Sequence, residues 1–120
     1  MKLFFAVFAV AACAAVVLTG FASAGGLTDT TVTIHVDGRD YSGKVKSPRQ
    51  RCVNERKVKL IKQVGERGGG DDIKIATDLA DSDGEWSTGN TGSRGKHYAR
   101  APKIPDKCKG DASRTLRTEF

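Results

Sequence analysis

Apolar residues fill 3–18 without interruption, and after that block they alternate with polar ones. Segment 30–36 (TTVTIHV) sets Val32, Ile34 and Val36 on one face and Thr31, Thr33 and His35 on the other. That two-residue period predicts a strand buried on one side. Asp37-Gly38 supplies a turn, after which Tyr41, Gly43 and Val45 alternate with Ser42, Lys44 and Lys46 in a second strand. Gly43 suggests a bulge or a close backbone approach there, and Pro48, which cannot donate to a ladder, ends the strand. A third strand is expected over 56–64, with Val58 and Leu60 inward, Lys57 and Lys59 toward water, and Ile61 placed by neither face. Further strands follow at 73–77, at 85–87 with Trp86 as a core anchor, at 96–101, and at 113–118 with Leu116 inward. In the 96–101 strand His97, Ala99 and Ala101 face away from Tyr98 and Arg100. Between them, 65–72 (GERGGGDD) is expected to be mobile, because three consecutive glycines are entropically costly to order.

Seven short strands separated by turn residues, with no helical period after the apolar block, read as one all-β antiparallel sandwich. The block itself reads as a secretory signal. Lys2 gives the positive start and Ala22-Ser23-Ala24 the small residues of a cleavage site. The chain therefore divides into a signal peptide at 1–24, a flexible leader at 25–29 and a domain at 30–120, with a secreted or extracellular destination. A membrane anchor needs a similar apolar length, but no basic stop-transfer cluster follows. Lipid attachment at Cys13 would leave the apolar run 14–18 on the mature protein. No membrane span remains after cleavage.

Cleavage also changes the cysteine count, leaving Cys52 and Cys108 of the original three. An exported chain with two cysteines most simply closes one disulfide. There is no C-x-x-C, and His35 and His97 lack ligand-like spacing to either cysteine, which argues against a metal site. A bridge across so long a segment stabilises by about 4 kcal/mol in the chain-entropy model. The formal net charge is +6, and it is uneven. Lys44, Lys46, Arg49, Arg51, Arg56, Lys57, Lys59 and Lys62 face a single acid, Glu55. Such a stretch attracts anionic wall polymers or lipid head groups; a solvated strand face that resists edge pairing explains it without any partner.

Asp78, Asp81, Asp83 and Glu85 are the candidate metal ligands. The EF-hand pattern fails on them, since Gly84 taken as the loop glycine puts Leu79 first and Asn90 last. An Asp-Gly turn entering a strand accounts for the same residues with no metal, and no cofactor is implied. No serine sits in G-x-S-x-G and both cysteines are expected to be oxidised, so no nucleophile is paired with a base. Nucleic acid is disfavoured by the absence of a recognition helix and the few aromatics. A bilayer-inserting antimicrobial role lacks its amphipathic helix.

Four short motifs carry a resemblance. YSGKV (41–45) and RKVKL (56–60) resemble two strands of the transthyretin-like, or prealbumin-like, β-sandwich also called the carboxypeptidase regulatory-like domain. TDLADSDGEW (77–86) resembles its T-D-x-x-G-x-aromatic turn, with extra residues before Gly84, and GKHYA (95–99) its G-x-Y-x-A strand, with one extra before Tyr98. The chain is similar to small exported bacterial proteins of this kind. The resemblance implies a seven-stranded Greek-key sandwich in which the Cys52 and Cys108 loops share one end, as a bridge requires. It implies little about function, which varies widely on this architecture. The family's enzymatic branch, which hydrolyses 5-hydroxyisourate, uses histidines, an arginine and a C-terminal Tyr-Arg-Gly-Ser. This chain ends TLRTEF, without that signature. The expected function is a non-enzymatic secreted binding or structural module at or outside the cell envelope, its ligand not named by the sequence and its partner an anionic envelope polymer or another extracellular protein. The alternative is an electrostatic binder of anionic polymer or lipid through the basic 44–62 face.

Overall fold

The computed structural model describes residues 26–120. The segment expected to be a signal peptide, Cys13 included, lies outside them. Among the described residues nine strands form two antiparallel sheets. In the first, β1 (Thr31–Val32) and β2 (His35–Asp37) share one edge of β3 (Asp40–Lys46), and β6 (Glu85–Asn90) takes the other. In the second, β5 (Ile73–Leu79), β4 (Lys57–Lys62) and β7 (Gly95–Ala101) lie side by side. The far edge of β7 is shared by β8 (Asp111–Ala112) and β9 (Leu116–Thr118). Val32, Ile34, Tyr41, Val45 and Trp86 from the first sheet meet Val58, Leu60, Ala99, Ala101 and Leu116 from the second in one core. The inward faces are those the alternation predicts. Among the described residues no helix is long and apolar enough to cross a membrane.

Among the described residues nine strands stand where seven were expected, because a hydroxyl side chain takes over a carbonyl's role at two points. One breaks the predicted 30–36 strand, and the other parts β8, which alternation did not predict, from the β9 remainder of the 113–118 strand. At the first break the Trp86 indole N–H donates to the Thr33 carbonyl at 3.2 Å. The Lys44 N–H, deprived of that acceptor, donates to Thr33 Oγ1 at 3.0 Å. The ladder is interrupted between β1 and β2 as a result. At the second break the Ala99 N–H donates to Ser113 Oγ at 2.8 Å, separating β8 from β9. Gly43 is explained by the same crossing: a Cβ there would collide with the Thr33 carbonyl oxygen and approach the indole nitrogen. The bulge itself falls one position earlier, between Tyr41 and Ser42.

The Cys52–Cys108 disulfide forms as expected, with Cα atoms 5.7 Å apart and both residues fully buried. It is consistent with an oxidising, extracellular location. The leader does not hang free at this end. Thr28 donates to the Lys107 carbonyl at 3.0 Å and accepts from the Lys109 N–H at 2.8 Å, and Asp29 pairs with Lys109 at 2.9 Å.

Candidate functional site

The loop after β3, which contains a single 3-10 turn at Gln50–Cys52, carries the chain from one sheet to the other. That crossing divides the basic run. Lys44 and Lys46 lie exposed on the first sheet, with Lys44 4.0 Å from Glu85. Arg49 and Arg51 are exposed on the connecting loop, and Arg56 is only 2% exposed. Lys57 and Lys59 stand on β4 in the second sheet, and Lys62, half-buried, is registered opposite His97. The eight residues do not form one surface.

A different set of cations converges instead. On the outer face of the second sheet Lys59 lies directly opposite Arg100 of β7, while Ile61 is flanked by Tyr98 on one side and Lys74 of β5 on the other. A depression of about 270 Å³ opens among Lys59, Lys74, Tyr98 and Arg100. A second, of about 340 Å³, lies among Glu55, Arg56, Lys57, Lys59, Pro102, Lys103 and Ile104. Lys59 lines both.

Loop 65–72 forms a wall of the first depression, and it has a defined path despite its glycines. Asp72 accepts from the Gly68 N–H at 2.9 Å, the Val64 N–H at 3.4 Å and the Tyr98 hydroxyl. Arg67 stacks 4.2 Å from the Tyr98 ring centroid and donates to Thr115 Oγ1 at 3.1 Å. The Tyr98 hydroxyl, followed by the Gly68 N–H, holds the Asp72 carboxyl below the usual carboxylate range. Ile61, which alternation could not place, is covered on this outer face and is 7% exposed.

The other candidates are occupied internally. Asp78 accepts from the Ser87 N–H at 2.8 Å, and Asp81 from the Asp83 and Glu85 N–H groups at 2.9 and 3.0 Å. These carboxylates brace the turn into β6, while Asp83 is exposed. Among the described residues no three His, Cys, Asp or Glu side chains converge in a way that could hold a metal ion. A cleft of about 670 Å³ lies over the first sheet beside His35, Lys44, Leu79 and Glu85. Its charged groups already have partners in Lys44–Glu85 and Asp78–Ser87.

His97 is fully buried in a network that sequence could not show. The Tyr41 hydroxyl donates to the Ser93 carbonyl at 2.8 Å, so it accepts from the His97 Nδ1–H at 3.1 Å, a proton also 3.2 Å from the Gly95 carbonyl by its nitrogen. Nε2 is then the acceptor for the Ser93 hydroxyl at 2.7 Å. Burial pulls the imidazole below its ordinary 6.5, the Gly95 contact opposes this and the Lys62 charge adds to it. Below 6.5 the unfolded chain therefore binds a proton that the folded chain refuses. This contribution to stability is present above 6.5 and is lost as pH falls toward the folded value, with a slope of up to about 1.4 kcal/mol per pH unit. Urea midpoints measured from about pH 7 down to about pH 5, above most carboxylate titration, should fall in the wild type and stay flatter in His97→Gln. Parallel profiles would remove His97 from this role.

Lys74, Arg100 and Lys103 were absent from the basic run because they sit on other strands and loops. Their only sequence signal was alternation, which put Arg100 beside Tyr98 on the outer face. The chain matches no known family model, no curated protein and no solved structure. Fold and site together define an all-β, disulfide-closed protein of two packed sheets with two cation-lined depressions on one outer face.

Proposed function

We propose that this protein is a non-enzymatic exported binding module, freed of residues 1–24 as a signal peptide and acting at or outside the cell envelope. Its mould is the transthyretin-like Greek-key sandwich, with β1 and β2 serving as one interrupted strand and β8 and β9 as another. The observation that carries the reading is the outer face of the second sheet. Lys57, Lys59, Lys74, Arg100 and Lys103 surround its two depressions, and among the described residues none has a carboxylate within ion-pair distance. The internal commitment of His97 to Tyr41 and Ser93 supports a non-catalytic role for that histidine.

A purely electrostatic attachment to anionic polymer or lipid, through the whole 44–62 stretch, is the second reading. It requires Lys44 and Lys46 to act together with Lys57 and Lys59, which lie on the other sheet. Passing an envelope fraction over the immobilised, oxidised protein across a salt series separates the two. A partner retained at physiological ionic strength supports a binding module. Complete elution at that ionic strength leaves only screened surface charge and overturns the reading.

A further inference from the structure

We propose that the two depressions on the second sheet form one groove, and that it binds a linear polymer bearing a phosphate or carboxylate on each repeat. This rests on the binding-module reading and names the ligand class and site. Continuity comes from Lys59, which lines both depressions. Lys59, Lys74 and Arg100 encircle one anionic group, and Lys57, Lys59 and Lys103 the next along the chain.

Three observations point to an anion. First, Lys59 and Arg100 are registered directly opposite each other, an arrangement that costs stability when both are charged. Second, no carboxylate lies within ion-pair distance of either: the only ion pairs among the described residues are Lys44–Glu85 and Lys109–Asp29, both elsewhere. Two acids line the depressions: Asp72, which already accepts from Tyr98, Gly68 and Val64, and Glu55, which makes no ion pair with Lys57, Lys59 or Lys103. Third, the wall is preformed, because those same bonds and the Arg67–Tyr98 stack fix loop 65–72. Little ordering cost is left for the moment of binding.

Length selects a polymer over a single ion. From Ile61 to Lys57 the groove follows four residues of β4, about 13 Å at strand rise. One phosphate or carboxylate cannot reach both groups of cations, whereas a chain with repeated charges can. A recessed floor behind a loop wall also favours a thread over a flat lipid surface. Stacked nucleobases find no platform, since Tyr98 is covered by Arg67 and only 5% exposed.

The test titrates the oxidised mature protein with long-chain polyphosphate and with polygalacturonate, the two arms distinguishing a phosphate from a carboxylate source. Orthophosphate, monomeric galacturonate and phosphatidylglycerol vesicles are the controls. At least one polymer should bind, and neither monomer should compete at equal anion concentration. Lys59→Gln/Arg100→Gln should weaken polymer binding about tenfold and lower the salt-dependence slope by about two. The same variant should melt no lower than wild type, because it removes a repulsive pair. Lys44→Gln/Lys46→Gln, on the other sheet, should bind as wild type does. Equal losses in the two variants, undiminished binding by the groove variant, or binding to vesicles and not to polymer would each overturn the groove. If the groove variant fails these expectations while an envelope partner is still retained, the site is wrong and the binding-module reading stands; loss of all retention removes both.

Discussion

Removing the disulfide, as Cys52→Ala/Cys108→Ala, should lower the melting temperature by about 20 °C. The bridge joins residues 56 positions apart. Cutting so long a loop free returns about 4 kcal/mol of entropy to the unfolded chain, and in a domain of this size each kcal/mol shifts the melting temperature by about 4–8 °C. Native contacts are lost as well. The Cys108 loop supplies the Lys107 carbonyl to Thr28 and the Lys109 carbonyl to Arg56, so its release frees the start of the domain. Calorimetry of the variant beside the oxidised wild type measures the effect, and an unchanged melting temperature would show that packing alone holds this end together. Both sulfurs are buried, so a reductant without denaturant should act slowly.

Arg56→Met should cost about 3 kcal/mol, even though it removes a positive charge from the interior. The guanidinium donates to Cys52 O at 2.9 Å, Thr30 Oγ1 at 3.1 Å, Pro102 O at 2.9 Å and Lys109 O at 2.7 Å. No carboxylate pairs with it, burial draws it below its ordinary value, and its Nε–H has no partner among the described residues. Methionine relieves that desolvation but leaves four acceptors without this donor, two of them, the Cys52 carbonyl and Thr30 Oγ1, buried, at about 1–3 kcal/mol each where water cannot enter. Acceptor loss outweighs the relief. Lysine should rescue poorly, since one ammonium cannot span acceptors placed for a planar fork. Urea denaturation of both variants decides the point; a Lys variant as stable as wild type would reduce Arg56 to a buried charge without a clamping role. Because Arg56 ties the Cys52 carbonyl to the Lys109 carbonyl, it works on the same two loops as the disulfide. Its loss in the bridge-free background should therefore cost less than its loss in wild type, a coupling that a double-mutant cycle reads directly.

Arg56 also marks where sequence reasoning stops. In the run from Lys44 to Lys62 it is one basic residue among eight, and nothing local separates it from Lys57. Only when loops from 52, 102 and 109 close around one point does a position exist where four acceptors await a planar donor. Thr33 and Ser113 are similar. Both look like ordinary polar members of alternating strands, and they break those strands only because the Trp86 indole and the Ala99 amide arrive from elsewhere. Alternation set His97 on one face with Ala99 and Ala101, where it read as a strand-face or surface histidine; instead it is fully buried, and nothing in the sequence showed that Tyr41 and Ser93 would meet it there.

The sequence by itself determined what depends on near neighbours. Period-two alternation decided which residues of β3, β4 and β7 turn inward, glycine, proline and aspartate decided where the chain turns, and two remaining cysteines decided that one bridge would close. Tertiary structure decided what depends on strand pairing, because backbone hydrogen bonds are the same for every residue and so do not reveal in advance which strand lies beside which. Placing β4 between β5 and β7, and β3 on the other sheet, split the basic run of 44–62 into two surfaces. The same pairing brought Lys59 against Arg100 and near Lys74, three residues far apart along the chain, and made from them the groove that no stretch of sequence contains.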